Sequence, residues 1–313
     1  MTYAERSLFA FLLLAGAMLL NAQQPQHQPL TAEQKRQIDE ALPVKAPVQP
    51  KKPRKMLVSN LCKRDDRIVR GHPSIPFGSY ALEQMGKRTG AYEVVVSDDI
   101  EMFRPEKIKQ FDAICFNNTM GVLFEAPELQ ASLLEFIANG KGFVGIHAAA
   151  ATFVQHPRYD QWPPFGQMLG GTENGGHPWK PDESITIKID DRRHPINAVF
   201  QSKGFEIAEE VYQWQEQDLR GRLRVLLSID TEKTDAGPTR KILPVRRKDL
   251  DFPMTWIKPH EKGRVFYTAF GHNPQIFWNK ELLAHFLAGI QYALGDLDAD
   301  DTPSGKVASG SNK

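Results

Sequence analysis

The apolar positions of the chain fall into short runs divided by polar turns, and the order of those runs changes half-way along. Met56-Leu57-Val58-Ser59 is a short apolar run behind a basic stretch, followed by a loop containing Gly71-His72-Pro73 and a helix-like segment at 78–89. Strand-like and helix-like segments then alternate: 92–96, a helix near 105–109, a strand at 113–116, a helix at 128–139 and a strand at 142–146. Continuous apolar strands alternating with helices predict a mostly parallel α/β sheet flanked by helices. The second half reads differently, with strand-like runs at 184–189, 208–214, 224–229, 254–257 and 265–269 and few helices between them. These are expected as extra antiparallel strands or an edge extension. The last element, 280–294, carries Leu282, Leu283, Phe286, Leu287, Ile290 and Leu294 at helical spacing and is expected to close one face of the sheet.

The ends of the chain lack such patterning. Arg6 followed by the apolar run Leu8 to Leu20 and by Leu20-Asn21-Ala22 reads as an export signal over 1–22. The run of about 13 residues is short of the roughly 20 that a bilayer crossing needs, so no stable membrane insertion is expected after cleavage. An uncleaved anchor is the alternative. Residues 23–53 read as a Gln/Pro/Lys-rich linker holding one short helix, opened by Thr31 with Gln34 three residues on, as in a capping box. The stretch 299–313 lacks apolar residues and reads as a disordered tail. One folded unit, 54–298, remains, and the export route makes it periplasmic or secreted.

Charge narrows the partners little. Among 313 residues, 39 Lys and Arg stand against 38 Asp and Glu, a net charge of +1 that gives no electrostatic reason to expect nucleic acid. Nothing in the sequence specifies an oligomeric state. Cys62 and Cys115 end apolar runs on neighbouring strands, where disulfide geometry is poor, so buried free thiols are expected.

Ligands of open α/β sheets bind beyond the carboxyl ends of the strands. The residues expected there are Asn60 and His72 after the first strand, Asn117, Asn118 and Thr119 after the third, His147 after the fourth, and His272 with Asn273 after the last. His147 is the sharpest candidate. The segment Gly145-Ile146-His147-Ala148-Ala149 passes from strand to helix-forming residues with no spacer, which demands a tight turn that projects the histidine from the sheet edge. A histidine so placed can serve as base, nucleophile or metal ligand.

The long loop 155–182 carries Trp162, Gly175-Gly176-His177-Pro178 and Trp179, and tryptophans at a sheet edge suit stacking on a sugar ring. They could equally anchor the loop to the core. In Glu209-Glu210-Val211-Tyr212, strand alternation would send the two carboxylates to opposite faces, so Glu210 can point inward to orient a histidine or complete a metal site. His72, His147, His177 and His272 show no close ligand spacing, and a divalent metal is an open alternative rather than a prediction. His27, His156, His194, His260 and His285 are left outside the site.

Five motifs in order, Gly142-Phe143-Val144-Gly145-Ile146-His147-Ala148-Ala149, Gly176-His177-Pro178, His194-Pro195, Glu209-Glu210-Val211-Tyr212 and Gly263 to His272, resemble the ThuA-like (trehalose utilisation) family over about 56–295. The resemblance implies a flavodoxin-like core like that of class I glutamine amidotransferases, and a role in sugar or keto-sugar utilisation. Where those amidotransferases keep a nucleophilic cysteine this chain has His147, which cannot form the thioester, so glutamine hydrolysis is not expected. The family often has Asp-Glu where this chain has Glu209-Glu210, a change that keeps the charge. The expectation is therefore a carbohydrate-active protein whose catalytic residues are His147 and Glu210, with His72, Asn117, Asn118, Trp162, His177, Trp179 and His272 contacting a small-molecule carbohydrate. The alternatives are a non-catalytic sugar-binding module of the cell envelope and a metal-dependent hydrolase.

Overall fold

A computed structural model describes residues 27–154, 162–174, 176–201, 204–234 and 247–307. The expected export segment, 1–22, lies outside the described residues, and no described helix is long and apolar enough to cross a membrane.

The first half forms as its pattern predicts. Strands β1 (Lys55–Ser59), β4 (Glu93–Val96), β5 (Ala113–Asn117) and β6 (Gly142–Ile146) are parallel, separated by a two-strand hairpin, β2 (Lys63–Arg64) and β3 (Arg67–Ile68), and by helices α2 (Ile75–Thr89), α3 (Pro105–Ile108) and α4 (Pro127–Ala138). β5 and β6 are buried along their whole length, which is why both read as unbroken apolar runs. The second half adds β7 (Ser184–Ile189), β8 (Gly204–Ala208), β9 (Arg224–Ile229), β10 (Pro253–His260) and β11 (Gly263–Thr268). β11 pairs in parallel with β6, and antiparallel pairings continue the sheet to nine strands in the order β4-β1-β5-β6-β11-β10-β9-β7-β8. Helix α6 (Lys280–Ala293) packs on β11 and β6 as expected.

Several expectations are corrected. The strand expected at 208–214 is β8 at Gly204–Ala208, and Glu209 to Trp214 instead form a buried irregular segment along the carboxyl edge of the sheet. No α-helix follows His147: Ala148 to Ala151 continue a single 3₁₀ turn that begins at His147 itself. The expected loop 155–182 contains helix α5 (Pro163–Leu169), started by two prolines at its first positions and stopped by Gly170 at φ +105°.

The flanking segments are not detached. Helix α1 (Ala32–Ala41) has the expected capping box and buries Ile38, Ala41 and Leu42, while Val48 N–H donates to Gln291 and Lys51 N–H to Asp296. Residues 299–307, expected in a disordered tail, are held mainly by polar contacts, with Ala299 packed against the core. Tyr292 OH donates to Asp301 at 2.7 Å, Val225 N–H to Ser304 Oγ at 2.9 Å, and Gly305 N–H to the Arg220 carbonyl at 2.8 Å. Composition counts apolar residues and therefore misses an anchor made of hydrogen bonds. Cys62 and Cys115 are free and buried, as expected.

Candidate functional site

His147 leaves the end of β6 in the left-handed region at φ +45°, a conformation that costs a non-glycine residue about 1–2 kcal/mol and that turns the side chain out of the sheet. Its surroundings hold it there. Tyr267 OH, from β11, donates to the His147 carbonyl at 2.7 Å, and Asn118 Oδ1 accepts the following amide at 3.4 Å. Gly271, at φ +136°, passes so close that a Cβ there would lie 2.8 Å from Ile146 Cγ2 and 3.3 Å from His147 Cβ. Only glycine fits both the conformation and the space.

The His147 ring is fully buried and oriented from both ends. Nδ1 lies 2.7 Å from the Ala269 carbonyl, which can only accept, so Nδ1 carries the proton and Nε2 presents its lone pair in the neutral ring. At Nε2 the Tyr212 hydroxyl stands at 2.9 Å, its ring stacked on the imidazole at 4.6 Å between centroids. Glu210 Oε2 lies 3.3 Å from the same nitrogen, 3.1 Å from His272 Nδ1 and 3.5 Å from His177 Nδ1. His72 completes the group, its ring edge-on to His147 and His272 at 5.0 Å from each. One donor atom each from His72, His147, Glu210 and His272 lies within 4.8 Å of every other, so these four residues can hold a metal ion.

The carboxyl edge gathers these residues from distant parts of the chain. His72 comes from the loop before α2, His147 follows β6, the two glutamates follow β8, and His272 follows β11. Glu209, fully buried, serves the backbone: its Oε1 accepts from His272 N–H at 2.6 Å and Gly271 N–H at 3.2 Å, and its Oε2 from Asn273 N–H at 3.3 Å. It thereby sets the turn that carries His272 while Glu210 faces the imidazoles. Burial pushes the Glu209 carboxyl up, against the pull of those three amides.

Burial also lowers His147, against the raising effect of Glu210, and takes His72 down to about 3, with the neighbouring His147 and His272 adding to the shift. Burial works against the Glu210 carboxylate too, but the imidazoles of His147, His272 and His177 gathered round it outweigh that and hold the group well below the usual carboxylate range. A charged carboxylate thus sits beside His147 and His72, whose imidazoles burial disfavours as cations, with access from the side of His177 and His272, whose side chains are 37% and 22% exposed.

The structure gathers His147, Glu210, His72, His177 and His272, and it buries Asn117, Asn118 and Trp179. Asn117 is fully buried and its amide donates to Asn60 Oδ1 and the Ile75 carbonyl, bracing β5 against α2. Asn118 donates to the Gly271 carbonyl at 3.1 Å and supports the His147 turn from behind. Trp179 is 0% exposed and packs edge-on against Phe252, so it is core and not a stacking platform. Trp162 is half-buried and packs on Phe153 and Phe165. Tyr212 is the site residue that the expectations omit. Its signal was its spacing of two from Glu210, which places both side chains on one side of an extended segment.

The family model described as trehalose utilisation, ThuA, matches residues 65–293. The chain belongs to the ThuA family. A search of curated proteins gave no match. Among solved structures, a ThuA-like protein of Bacteroides uniformis ATCC 8492 is similar with a TM-score of 0.58 and 22% identity, covering 77% of this chain and 93% of that one. A ThuA-like protein of Parabacteroides merdae ATCC 43184 has a TM-score of 0.55 and 17% identity, over 80% of this chain and 93% of its own. At such identities the likeness supports the fold alone. Membership of the ThuA family ties the chain to carbohydrate utilisation in broad terms.

Proposed function

We propose that this ThuA-family protein is an exported enzyme, periplasmic or secreted, that acts on a sugar or keto-sugar at the cluster around His147 and Glu210. The observation that carries the reading is the fixed imidazole of His147. One nitrogen is tied to a backbone carbonyl and the other faces both a phenol and a carboxylate. Such a group is oriented for chemistry at Nε2 before any substrate arrives, as base or as ligand. The largely neutral ring can take a proton at Nε2, Glu210 offsets the charge that this creates, and the proton can pass on through Tyr212, whose hydroxyl gives its own proton to a sugar oxygen as it takes the one from Nε2 and so never stays a phenolate. His177 and His272, at the open side, are placed to contact sugar hydroxyls, with His72 behind them. The family's link to trehalose supports the substrate class, and the apolar run at 8–20 supports export.

The test is turnover of trehalose, other glucosides and their 3-keto forms by wild type and His147→Ala. The wild type is expected to convert at least one of them, and the variant to lose at least about 100-fold in rate, the low end for a general acid or base. Equal rates in the two proteins would remove His147 from the chemistry.

A further inference from the structure

We infer that His72, His147, His272 and Glu210 are the protein ligands of one divalent first-row transition-metal ion. The inference rests on the reading of this cluster as the functional site, and the metal titration that tests it needs no sugar.

The spacing comes first. Ligand bonds of about 2.0–2.2 Å to a common ion place neighbouring donor atoms about 3.0 Å apart in octahedral and about 3.4 Å apart in tetrahedral geometry. Glu210 Oε2 is 3.1 Å from His272 Nδ1 and 3.3 Å from His147 Nε2, within that interval. Hydrogen bonding explains these contacts incompletely. His147 has its one proton on Nδ1, directed at Ala269, and Nε2 accepts from Tyr212. Nε2 and the carboxylate oxygen therefore face each other with no proton between them. A second proton on His147 would resolve the conflict, but it would place a cation on a ring that is fully buried. A metal ion between the two atoms resolves it and leaves the ring neutral. A further orphan points the same way: His72 Nδ1 is buried with no hydrogen-bond partner among the described residues.

The supporting groups suit a metal as well. A ligating histidine commonly donates its other ring N–H to a backbone carbonyl, which fixes tautomer and orientation, and His147 does so to Ala269. Glu209 accepts from the His272 backbone N–H and so positions the turn that carries this ligand, without touching its ring. Imidazoles with one carboxylate favour zinc, nickel, cobalt, manganese or iron over calcium and magnesium, which prefer all-oxygen sets. Four protein ligands leave five- or six-coordinate ions with positions to spare on the open side of His272 and His177. Adjacent oxygens of a sugar or keto-sugar can occupy those positions. The ion would take the Nε2 lone pair that now accepts from Tyr212, freeing that phenol to donate to a bound oxygen beside it.

The experiment uses the full chain without an affinity tag, stripped with chelator and titrated calorimetrically with Zn²⁺, Mn²⁺, Ni²⁺ and Co²⁺ in separate runs. Saturable uptake of one equivalent is expected for at least one ion. Glu210→Gln and His272→Ala should each weaken it more than about 10-fold, and His260→Ala should leave it unchanged. Circular dichroism of the metal-free variants establishes that they fold. Electron paramagnetic resonance of the Cu²⁺-loaded wild type reads ligation without any variant and should show imidazole nitrogen couplings. Failure of all four ions to bind saturably, binding indifferent to both ligand substitutions, or a Cu²⁺ spectrum without nitrogen couplings would each overturn the proposal. Sugar turnover by metal-free protein in excess chelator would overturn the ion and leave the enzyme reading intact. One-equivalent uptake with no turnover of any sugar would do the reverse.

Discussion

Replacing His285 with glutamine should make the protein resist acid. His285 lies on α6, fully buried, with Nδ1 3.1 Å from the Ile196 carbonyl, and burial lowers its pKa from 6.5 to about 3. The folded pKa is below the unfolded one, so on acidification the unfolded chain takes up the proton first. The stability contributed by keeping this ring neutral is complete above about pH 6.5 and is lost as pH falls towards 3. Each pH unit in that window costs about 1.4 kcal/mol, so the loss reaches about 2 kcal/mol at pH 5. His285→Gln keeps a donor for Ile196 and removes the titration. Urea denaturation at pH 7 and pH 5 measures the difference. The wild type should lose about 2 kcal/mol more than the variant between these values. Equal losses would refute the assignment of His285 as a neutral buried group.

Three other substitutions probe the site and its frame. Gly271→Ala should destabilise the protein by about 1–3 kcal/mol in thermal melts, because the new Cβ is strained at φ +136° and lies 2.8 Å from Ile146 Cγ2; an unchanged melting temperature would contradict the close packing behind His147. Tyr212→Phe keeps the stack on His147 and removes the hydroxyl. It should cut turnover by about 100-fold or more and shift stability by only about 1 kcal/mol, and an unaltered rate would leave the phenol without a catalytic part. Trp179→Ala should cost about 3–5 kcal/mol in urea denaturation. Trp162→Ala should leave sugar affinity by calorimetry unchanged, because its ring packs on Phe153 and Phe165; loss of binding would restore its stacking role.

What could be read in the sequence follows from how each residue signals its environment. β5 and β6 are buried on both sides, so their unbroken apolar runs announced them, and the abrupt end of β6 marked His147. β7 and β9 emerged at their expected bounds for similar reasons. Glu209 to Trp214 misled because a buried irregular segment looks like a strand when its polar groups are satisfied from afar. Glu209 is buried because backbone amides 62 to 64 residues away require an acceptor, a reason that local spacing does not carry. Trp179 misled in the opposite direction, since a tryptophan in a glycine-rich loop reads as a binding surface until Phe252 is found against it. The histidines converge only because four separate strand ends or loops meet at one edge, which depends on topology rather than motif.

Whether a sugar or keto-sugar is processed at the His147–Glu210 cluster is decided by the structure of the protein with a bound substrate. A 3-keto-glucoside soaked at saturating concentration into crystals of the Glu210→Gln variant, in which turnover is expected to be slow, would serve. Sugar oxygens are expected within about 3.2 Å of the His272, His177 or Tyr212 side chains, the reach of a hydrogen bond. A sugar bound with full occupancy elsewhere, with this cluster empty of it, would rule the cluster out as the place of reaction.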